Sequence, residues 1–400
     1  MKILLVHNFY GSSAPSGENM VYLAEKALLE RSGHEVIEFV RHSDAIREQG
    51  AWGKVKGALS TPWNPYSHAA VLRIIERENP DLMHAHNVFP MISSSIFSAA
   101  SERKVAVVLT LHNYRTVCAA AIPMRADIPC TRCMDDRSVW PAIRYGCYRG
   151  SRLATLPLAA SISMHRKLGT WLKHVDAFIA LTEFQRDMLV RSGLPSSCIY
   201  IKPHFYDEPP CPKAWDEREN KVVFVGRLRE EKGVRYLIEA WLRWGKDAPV
   251  LELIGNGTQR HELSQLAKPM GNRVRFLGQL PFEETQRRIA AARLLVLPSL
   301  CFEGFPMVIR EAYALGVPVA ASRLGSMQNL VEEDVTGGFF KPGSSEELLG
   351  CVRGLWKKQQ DLEKMACASR AKFECSYTSE TNYRRLMDIY DEAVERRKSK

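Results

Sequence analysis

The stretch CFEGFPMVIREAYALG, residues 301–316, is the most informative part of the sequence. An apolar run, residues 294–297, precedes it and another, residues 317–321, follows it. This order predicts strand, loop, helix and strand, with Glu303 in the loop and Glu311 in the helix. The free amides and positive dipole at the start of that helix suit a phosphate group. Two carboxylates beside a phosphate site are explained if they bind neutral hydroxyls, such as those of a sugar and a ribose.

A second motif, VGRLREEKG at residues 225–233, ends an apolar run and begins a helical stretch. Arg227 and Lys232 therefore fall on the loop after the carboxyl end of a strand, where ligands bind in open parallel sheets. Two cations there suit a diphosphate, because Arg offers a planar fork and Lys a point charge. Each motif alone is better explained by solvated surface residues. Their combination is what indicates a single ligand site.

Short strand-like runs alternate with helical stretches along the whole chain. The runs are residues 3–6, 36–40, 82–85, 105–110, 177–181, 199–201, 222–225, 251–254, 274–277, 294–297 and 317–321. This alternation predicts an α/β protein with two Rossmann-like parallel-sheet domains facing one another across a cleft. The pattern breaks at residues 203–220. We therefore predict an N-terminal domain over 1–205, a C-terminal domain over 206–376 and a terminal helix in 377–400.

With these elements the chain resembles the retaining family-4 glycosyltransferases, which have the GT-B fold and use nucleotide-activated sugars. The resemblance covers nearly the whole length and is strongest to members that build polysaccharide and lipopolysaccharide. It implies that Arg227 and Lys232 hold the donor diphosphate. It also implies that Glu303 lies beside the donor sugar and that Glu311 binds the ribose. In this fold the terminal helix usually returns to the first domain.

The resemblance implies further donor contacts and an acceptor side. Backbone groups expected at the donor are those of Gly17, Leu277, Gly278, Gly304, Phe305, Met307 and Val308. Residues expected on the acceptor side are Glu18, Asn19, Tyr114 and Arg115. Gly17 closes a loop, residues 7–20, that carries no G-x-G-x-x-G and so no dinucleotide fingerprint. The alternative for this loop is a flexible rim.

His112 follows a buried strand in LTLHNYR, residues 109–115, and should face the ligand-binding edge of its sheet. The resemblance implies that it contacts the transferring sugar and acts in catalysis with Arg227, Lys232 and Glu303. Asn113 occupies a position where related enzymes often have Asp. His84 and His86 also follow a strand, and they either line the ligand site or serve the structure.

Four cysteines, Cys118, Cys130, Cys133 and Cys147, cluster in the N-terminal half. The C-x2-C pair is a common zinc chelate, so we predict a structural zinc site with these four ligands. Free buried thiols are the alternative. No D-x-D motif lies in the regions that resemble the family, so no metal or other cofactor is expected in catalysis.

The composition is that of an ordinary soluble protein. The 400 residues are 46% hydrophobic and 25% charged, which suits two domains. The sequence contains no apolar run of membrane-spanning length, and the apolar start is too short for a signal sequence. We therefore expect a cytoplasmic protein whose ten cysteines are mostly reduced thiols.

The net charge of +10 is unevenly placed. Residues 137–175 contain no acid but many Arg, Lys, Leu and aromatic residues. This pattern predicts that residues 137–173 lie on an anionic membrane surface, the alternative being core helices with a solvated basic face. Nucleic acid is not expected as a partner, because no nucleic-acid-binding motif accompanies the charge.

These observations predict a retaining hexosyltransferase, peripheral on the inner face of the membrane. It would move a sugar from a UDP- or GDP-sugar to a lipid-linked or membrane-proximal glycan in cell-surface polysaccharide synthesis. The alternatives are a transferase with a soluble acceptor, a catalytically silent nucleotide-sugar-binding subunit, and an epimerase of the same fold.

Overall fold

The computed structural model describes residues 1–11, 16–48 and 50–400. Two compact units are present, which we call the N-unit and the C-unit. The N-unit comprises Met1–Pro123, Thr131–Pro203 and Asn382–Lys400. The C-unit comprises Met124–Cys130 and His204–Thr381. The main division therefore falls within a few residues of the position where the alternating pattern breaks.

The first eight strands of the described chain lie between residues 2 and 201. They are β1 (Lys2–Phe9), β2 (Glu35–His42), β3 (Leu82–Asn87), β4 (Ala106–Thr110), β5 (Met124–Arg125), β6 (Ile128–Pro129), β7 (Ala177–Ala180) and β8 (Ile199–Ile201). Six of them form the parallel sheet of the N-unit in the order β2-β1-β3-β4-β7-β8, while β5 and β6 pair as a small antiparallel hairpin. The inner strands are buried along their length, as expected when helices cover both faces.

Helices of the same half separate these strands. They are α1 (Gly17–Arg31), α2 (Asp44–Glu48), α3 (Gly50–Ser60), α4 (Pro65–Glu78), α5 (Ser95–Glu102), α6 (Arg132–Asp135), α7 (Trp140–Tyr145), α8 (Arg152–Leu168), α9 (Thr170–His174) and α10 (Glu183–Arg191). The start of α4 illustrates how the local sequence begins a helix. Asn64 caps it by accepting from the amides of Tyr66 and Ser67, and Pro65 fills the first turn, where an N–H is not needed.

The C-unit repeats the arrangement. Its strands are β9 (Lys221–Val225), β10 (Val250–Ile254), β11 (Val274–Gly278), β12 (Leu294–Leu297), β13 (Val319–Ser322) and β14 (Gly337–Phe340). They form one parallel sheet in the order β11-β10-β9-β12-β13-β14. The remaining helices are α11 (Val234–Trp244), α12 (Arg260–Ala267), α13 (Phe282–Ala290), α14 (Met307–Ala314), α15 (Met327–Leu330), α16 (Ser345–Lys357), α17 (Gln359–Ser376) and α18 (Ser379–Ser399).

Two parallel sheets confirm the predicted α/β class. The helix expected to start at residue 377 begins at Ser379 and runs to Ser399, past the end of its apolar pattern. Its apolar side, including Leu386, Ile389 and Tyr390, packs in the same core cluster as Ile3 of β1. The terminal helix is therefore part of the hydrophobic core of the N-unit.

The strand order fixes where ligands can bind in each sheet. In the C-unit the first strand, β9, lies between β10 and β12, so successive connections leave it in opposite directions. In the N-unit β1 lies in the same way between β2 and β3. Such a switch point opens a crevice at the carboxyl ends of the two strands. The loops after β9 and β12 meet at the crevice of the C-unit.

Candidate active site

A glycine lets the two crevice loops of the C-unit approach closely. Gly233, which follows Lys232 and precedes α11, has φ +64°, and a Cβ there would lie 2.0 Å from the carbonyl oxygen of Pro298. The amide of Leu300 also donates to the carbonyl of Glu231 at 2.9 Å. The loop after β9 is thus held against the loop after β12, which carries Glu303.

Lys232 and Glu303 form an ion pair across these loops. Lys232 Nζ lies 2.7 Å from Oε1 and 2.8 Å from Oε2 of Glu303. Their side chains remain 15% and 13% exposed, so the pair can be reached from solvent. Burial opposes the charge of Glu303, but Lys232, the Ser299 hydroxyl and Arg227 together hold its pKa below the ordinary value. The carboxylate is therefore ionised at neutral pH.

Arg227 adds a second cation to this region. Its side chain is 54% exposed and lies 3.5 Å from Glu231. Exposed pairs of this kind contribute little stability, so another anion can replace Glu231 beside the guanidinium at a small cost in free energy. Arg227 and Lys232 therefore supply a mobile and a fixed positive charge on the same loop.

Helix α14 begins directly after the Glu303 loop. Pro306 precedes it, and among the described residues no side chain caps its amino end. The amides near Met307 and Val308 are thus available to an anion. Phe305 is buried against the rings of His204 and Tyr377, with centroids 5.4 and 5.9 Å away, and this packing fixes the turn at Gly304.

Glu311 lies one turn inside α14 and is nearly buried. Gln286 of α13 donates to its Oε2 at 3.2 Å, and Arg310 Nη2 is 3.9 Å from its Oε1. Burial raises the pKa of Glu311 despite these two neighbours. Burial also lowers the pKa of Arg310 to about 10. A buried carboxylate of this kind gains from a hydroxyl donor.

Leu277 and Gly278 end β11, beside the other C-unit loops. The Gly278 carbonyl accepts from the Gly255 amide at 2.7 Å. A Cβ at Gly255 would lie 2.0 Å from the Gly226 carbonyl oxygen. The ends of β9, β10 and β11 therefore form one close-packed edge made of main-chain groups.

In the N-unit, His112 follows β4 and lies in a line of histidines. Its Nε2 is 3.1 Å from Nδ1 of His86, whose Nε2 is 3.0 Å from Oε1 of the buried Glu25. An adjoining cavity is lined by Phe97, Leu109, Leu158, Ile162 and Trp171 and by His112, Asn113 and Arg115. A mostly apolar cavity with polar groups is the usual form of a ligand site.

Glu18 is paired with Asn113. The Asn113 amide donates to Oε1 of Glu18 at 2.8 Å. Burial raises the pKa of Glu18, while Asn113, Arg115 and Tyr10 oppose that rise. An Asp at position 113 would place a second carboxylate against Glu18. Asn113 therefore gives Glu18 a hydrogen-bond donor where an Asp would repel it.

The other residues expected on the acceptor side make contacts within the N-unit, and their acceptor role stays a prediction. Asn19 Oδ1 lies 2.9 Å from His7 Nε2, and Tyr114 is completely buried. The guanidinium of Arg115 sits 4.2 Å from the centre of the Phe89 ring. Gly17 is the first residue of α1. The preceding part of the predicted glycine loop, residues 12–15, lies outside the described residues.

None of the four cysteines, all of which the structure describes, takes part in a disulfide. Burial, with smaller effects of Cys133 and Cys147, raises the pKa of Cys118 to about 12. Within the described parts of the chain, one group of three ligating side chains has its atoms within 4.8 Å of one another, and it is Glu25, His84 and His86. The zinc site at the cysteines stays a prediction.

Sequence reasoning missed several of these residues. No sequence motif singled out the residues that hydrogen-bond to the predicted site. Ser299 donates to Glu303 and Gln286 donates to Glu311. Glu25 is hydrogen-bonded to His86. Among the helices of the described chain, none is long and apolar enough to cross a membrane.

Comparisons with known proteins agree with this geometry. Residues 17–208 match the model described as "Glycosyltransferase Family 4", and residues 219–358 match "Glycosyl transferases group 1". On these two matches and the fold, the chain belongs to the family-4 glycosyltransferases.

Two curated relatives illustrate the likeness. The amylovoran biosynthesis glycosyltransferase AmsK of Erwinia amylovora is 29% identical over 43% of this chain and 44% of its own length. The putative teichuronic acid biosynthesis glycosyltransferase TuaC of Bacillus subtilis is 29% identical over 73% of this chain and 67% of its own length. The matched stretch thus spans less than half of AmsK.

A solved structure extends over nearly the whole chain. Alr3699/HepE of Anabaena, crystallised with UDP, superposes with a TM-score of 0.67 at 19% identity over 98% of this chain and 100% of its own. Other crystals of that protein hold UDP with glucose, or UDP-glucose. At this identity the likeness concerns the fold, and it confirms the predicted GT-B architecture.

Proposed function

We propose that this protein is a retaining glycosyltransferase that moves a sugar from a nucleotide-sugar to a lipid-linked or membrane-proximal glycan in cell-surface polysaccharide synthesis. The observation that carries the proposal is the accessible Lys232–Glu303 pair at the switch point of the C-unit. UDP and UDP-glucose bound to HepE support UDP-sugars as the first donors to test, with GDP-sugars as the comparison.

The charges of the C-unit suit departure of a diphosphate. Bond cleavage leaves negative charge on the diphosphate and positive character on the sugar carbon. Lys232 has three N–H donors, so it can contact both oxygens of Glu303 and still donate to a phosphate. Arg227 and the amides of α14 would stabilise the same oxygens. Glu303 would orient sugar hydroxyls, Glu311 the ribose, and His112 a hydroxyl of the transferring sugar.

The test is to measure nucleoside diphosphate release with and without acceptor. We first rank UDP, GDP, ADP and their sugars by thermal shift, then follow release with a lipid-linked glycan. Acceptor-dependent release supports the proposal, and NMR of the product shows whether the anomeric configuration is retained. A silent binding subunit would bind donor and release nothing, and an epimerase would convert the donor without acceptor.

Exposed apolar side chains support a membrane-proximal acceptor. Trp140 of α7 is 67% exposed and Leu153 of α8 is 80% exposed. Cations of the same segment, Arg144, Arg149, Arg152, Lys167 and Lys173, are exposed as well. Aromatic and leucine side chains beside Lys and Arg are typical of helices that lie in an anionic bilayer surface.

Helix α3 adds a second element that the sequence analysis did not recognise. It packs against α8, and Trp52 and Leu59, both on one side of the helix, are 82% and 75% exposed. Residues 49–75 contain no acidic residue. We propose that α3 contacts the same lipid surface as α7 and α8.

Vesicle flotation separates the membrane-bound enzyme from one with a soluble acceptor. We expect the protein to float with vesicles that contain phosphatidylglycerol and to remain below vesicles of phosphatidylcholine alone. Changing Arg149, Arg152 and Lys167 to Glu should abolish flotation, and Trp52→Ser with Leu59→Ser should weaken it. The matched control changes three exposed cations of the C-unit, Arg353, Lys357 and Lys358, to Glu. Absence of flotation in the native protein, with turnover intact in the charge-reversed variant, would argue for a soluble acceptor, and equal flotation of all variants would exclude these helices as the membrane contact.

A further inference from the structure

A line of buried polar side chains leads to His112 from inside the N-unit. Lys202 Nζ lies 2.7 Å from Oε2 of Glu25, and Glu25 Oε1 lies 3.0 Å from Nε2 of His86. His86 Nδ1 is in turn 3.1 Å from Nε2 of His112. Glu25 and Lys202 are each only 1% exposed. The proposed transfer reaction accounts for His112 alone, so the other three need an explanation.

The charge state of this line follows from its inner end. Burial opposes ionisation of Glu25, but Lys202, His86 and His84 hold its pKa well below the ordinary value. Glu25 is therefore a carboxylate, which can only accept hydrogen bonds. Lys202 balances its charge and also lies 3.1 Å from Oδ1 of Asn382. The Glu25–Lys202 pair is therefore neutral overall.

The proton positions then follow one after another. Because Oε1 of Glu25 only accepts, His86 must carry its proton on Nε2. A neutral imidazole has one donor and one acceptor nitrogen, so Nδ1 of His86 accepts. In a line of neutral imidazoles His112 then donates from Nε2, which leaves Nδ1 as its accepting nitrogen.

We propose that Glu25 and His86 are positioning residues that hold His112 in its Nε2–H tautomer, so that Nδ1 accepts a hydrogen bond from a hydroxyl of the transferring sugar. The sugar contact rests on the proposed function, whereas the tautomer does not. A metal site at Glu25, His84 and His86 is the competing explanation, since their ligand atoms lie within 4.8 Å. The Lys202 ammonium already provides the cation there, and His84 Nδ1 lies 2.7 Å from the Tyr390 hydroxyl and 3.1 Å from Oε1 of Glu25.

Glu25→Gln tests the proposal because it should reverse the direction of the hydrogen bonds that run from residue 25 through His86 to His112. The new amide oxygen should face the Lys202 ammonium, which puts the amide N–H toward Nε2 of His86. His86 must then hold its proton on Nδ1 and donate to Nε2 of His112, which moves the His112 proton to Nδ1. Nitrogen NMR of the ring, assigned with a His112→Asn variant, distinguishes the two tautomers. Turnover should fall about 10- to 100-fold with little change in the acceptor KM.

Asp176→Asn is the matched control. Asp176 is another fully buried carboxylate of the N-unit, 2.7 Å from Arg397 and 3.0 Å from Lys400. This variant should lose stability but keep the His112 tautomer and the turnover. The proposal is overturned if native His112 carries its proton on Nδ1, or if Glu25→Gln leaves the tautomer unchanged.

A second pair of variants serves if Glu25→Gln does not fold. His86→Asn keeps an oxygen that can accept from Nε2 of His112, whereas His86→Phe removes it. We expect His86→Asn to keep the native tautomer and more turnover than His86→Phe. Equal loss in both would overturn the proposal. Because the NMR signal needs no turnover, an absent transferase activity would contradict the proposed function and leave this test intact.

Discussion

Replacing Lys232 with alanine tests how much the Lys232–Glu303 pair stabilises the C-unit. The change removes an ammonium 2.7 and 2.8 Å from the two oxygens of Glu303, a carboxylate only 13% exposed. Removing one partner of a fully buried pair costs about 3–5 kcal/mol, and the remaining exposure reduces this to about 2–3 kcal/mol at neutral pH. Thermal unfolding should therefore shift downward by about 5–10 °C.

The pH dependence of this loss gives a sharper measurement. In the native protein the pKa of Glu303 is depressed, so pairing stabilises the fold above the unfolded value, about 4.3, and is lost as pH falls. Without Lys232, burial raises the pKa of Glu303 above its unfolded value. The buried acid then costs no stability below about pH 4.3, and the folded protein loses stability as the pH rises above that value. Denaturant unfolding at several pH values should show the difference between the two proteins shrinking as the pH falls and disappearing only below about 4.3.

The same variant tests the diphosphate assignment. We expect UDP affinity to fall about 10- to 100-fold and turnover about 100- to 1,000-fold. Adding Glu303→Gln should restore stability at neutral pH but not turnover. Arg235→Ala, which breaks an exposed pair with Glu239, is the control and should change neither. Native UDP affinity and turnover in the Lys232→Ala protein would refute the assignment, and a pH-independent loss of stability would refute the pairing argument.

Three further changes test other sites. Glu311→Gln mimics the protonated acid, so it should be about 1 kcal/mol more stable than the native protein at pH 8 and equal to it near pH 4, because a raised pKa costs stability as pH rises. Calorimetry should show weaker UDP binding but unchanged pyrophosphate binding, and unchanged UDP binding would exclude the ribose contact. Asn113→Asp should lower the unfolding free energy by about 1–3 kcal/mol at pH 7, with recovery on adding Glu18→Gln; no recovery would argue against their contact. Elemental analysis without chelators should find about one zinc per chain, lost in Cys133→Ser; metal-free native protein would end that prediction.

The architecture and the approach of Lys232 to Glu303 could be predicted because they follow local rules. Alternating apolar runs fix parallel sheets, and the position of a motif after a strand places Lys232 and Glu303 at the same edge. Strand β14 was missed because its sequence, GGFF, has neither β-branched residues nor alternation. The two-residue hairpin of β5 and β6 is too short to leave a pattern.

The inner part of the N-unit site could not be predicted in this way. Glu25 stands in GENMVYLAEKALLER, where it has the spacing of an ordinary solvated helix acid. Its burial is decided by Lys202, 177 positions away, and by His86, 61 positions away. Contacts between distant residues leave no periodicity in the sequence. The pairing of Glu18 with Asn113 is hidden for the same reason.

Lys202–Glu25 in the N-unit and Lys232–Glu303 in the C-unit share a separation of 2.7 Å but differ in their surroundings. The side chains of Lys202 and Glu25 are 2% and 1% exposed, so neither can leave the other without stranding a charge in the interior. Those of Lys232 and Glu303 are 15% and 13% exposed, so a phosphate or a hydroxyl can share their charges. The sealed pair therefore acts as a fixed electrostatic support for His86, while the open pair can bind a ligand. Exposure, and not the chemical identity of the two groups, therefore separates the pair that a ligand can reach from the pair that it cannot.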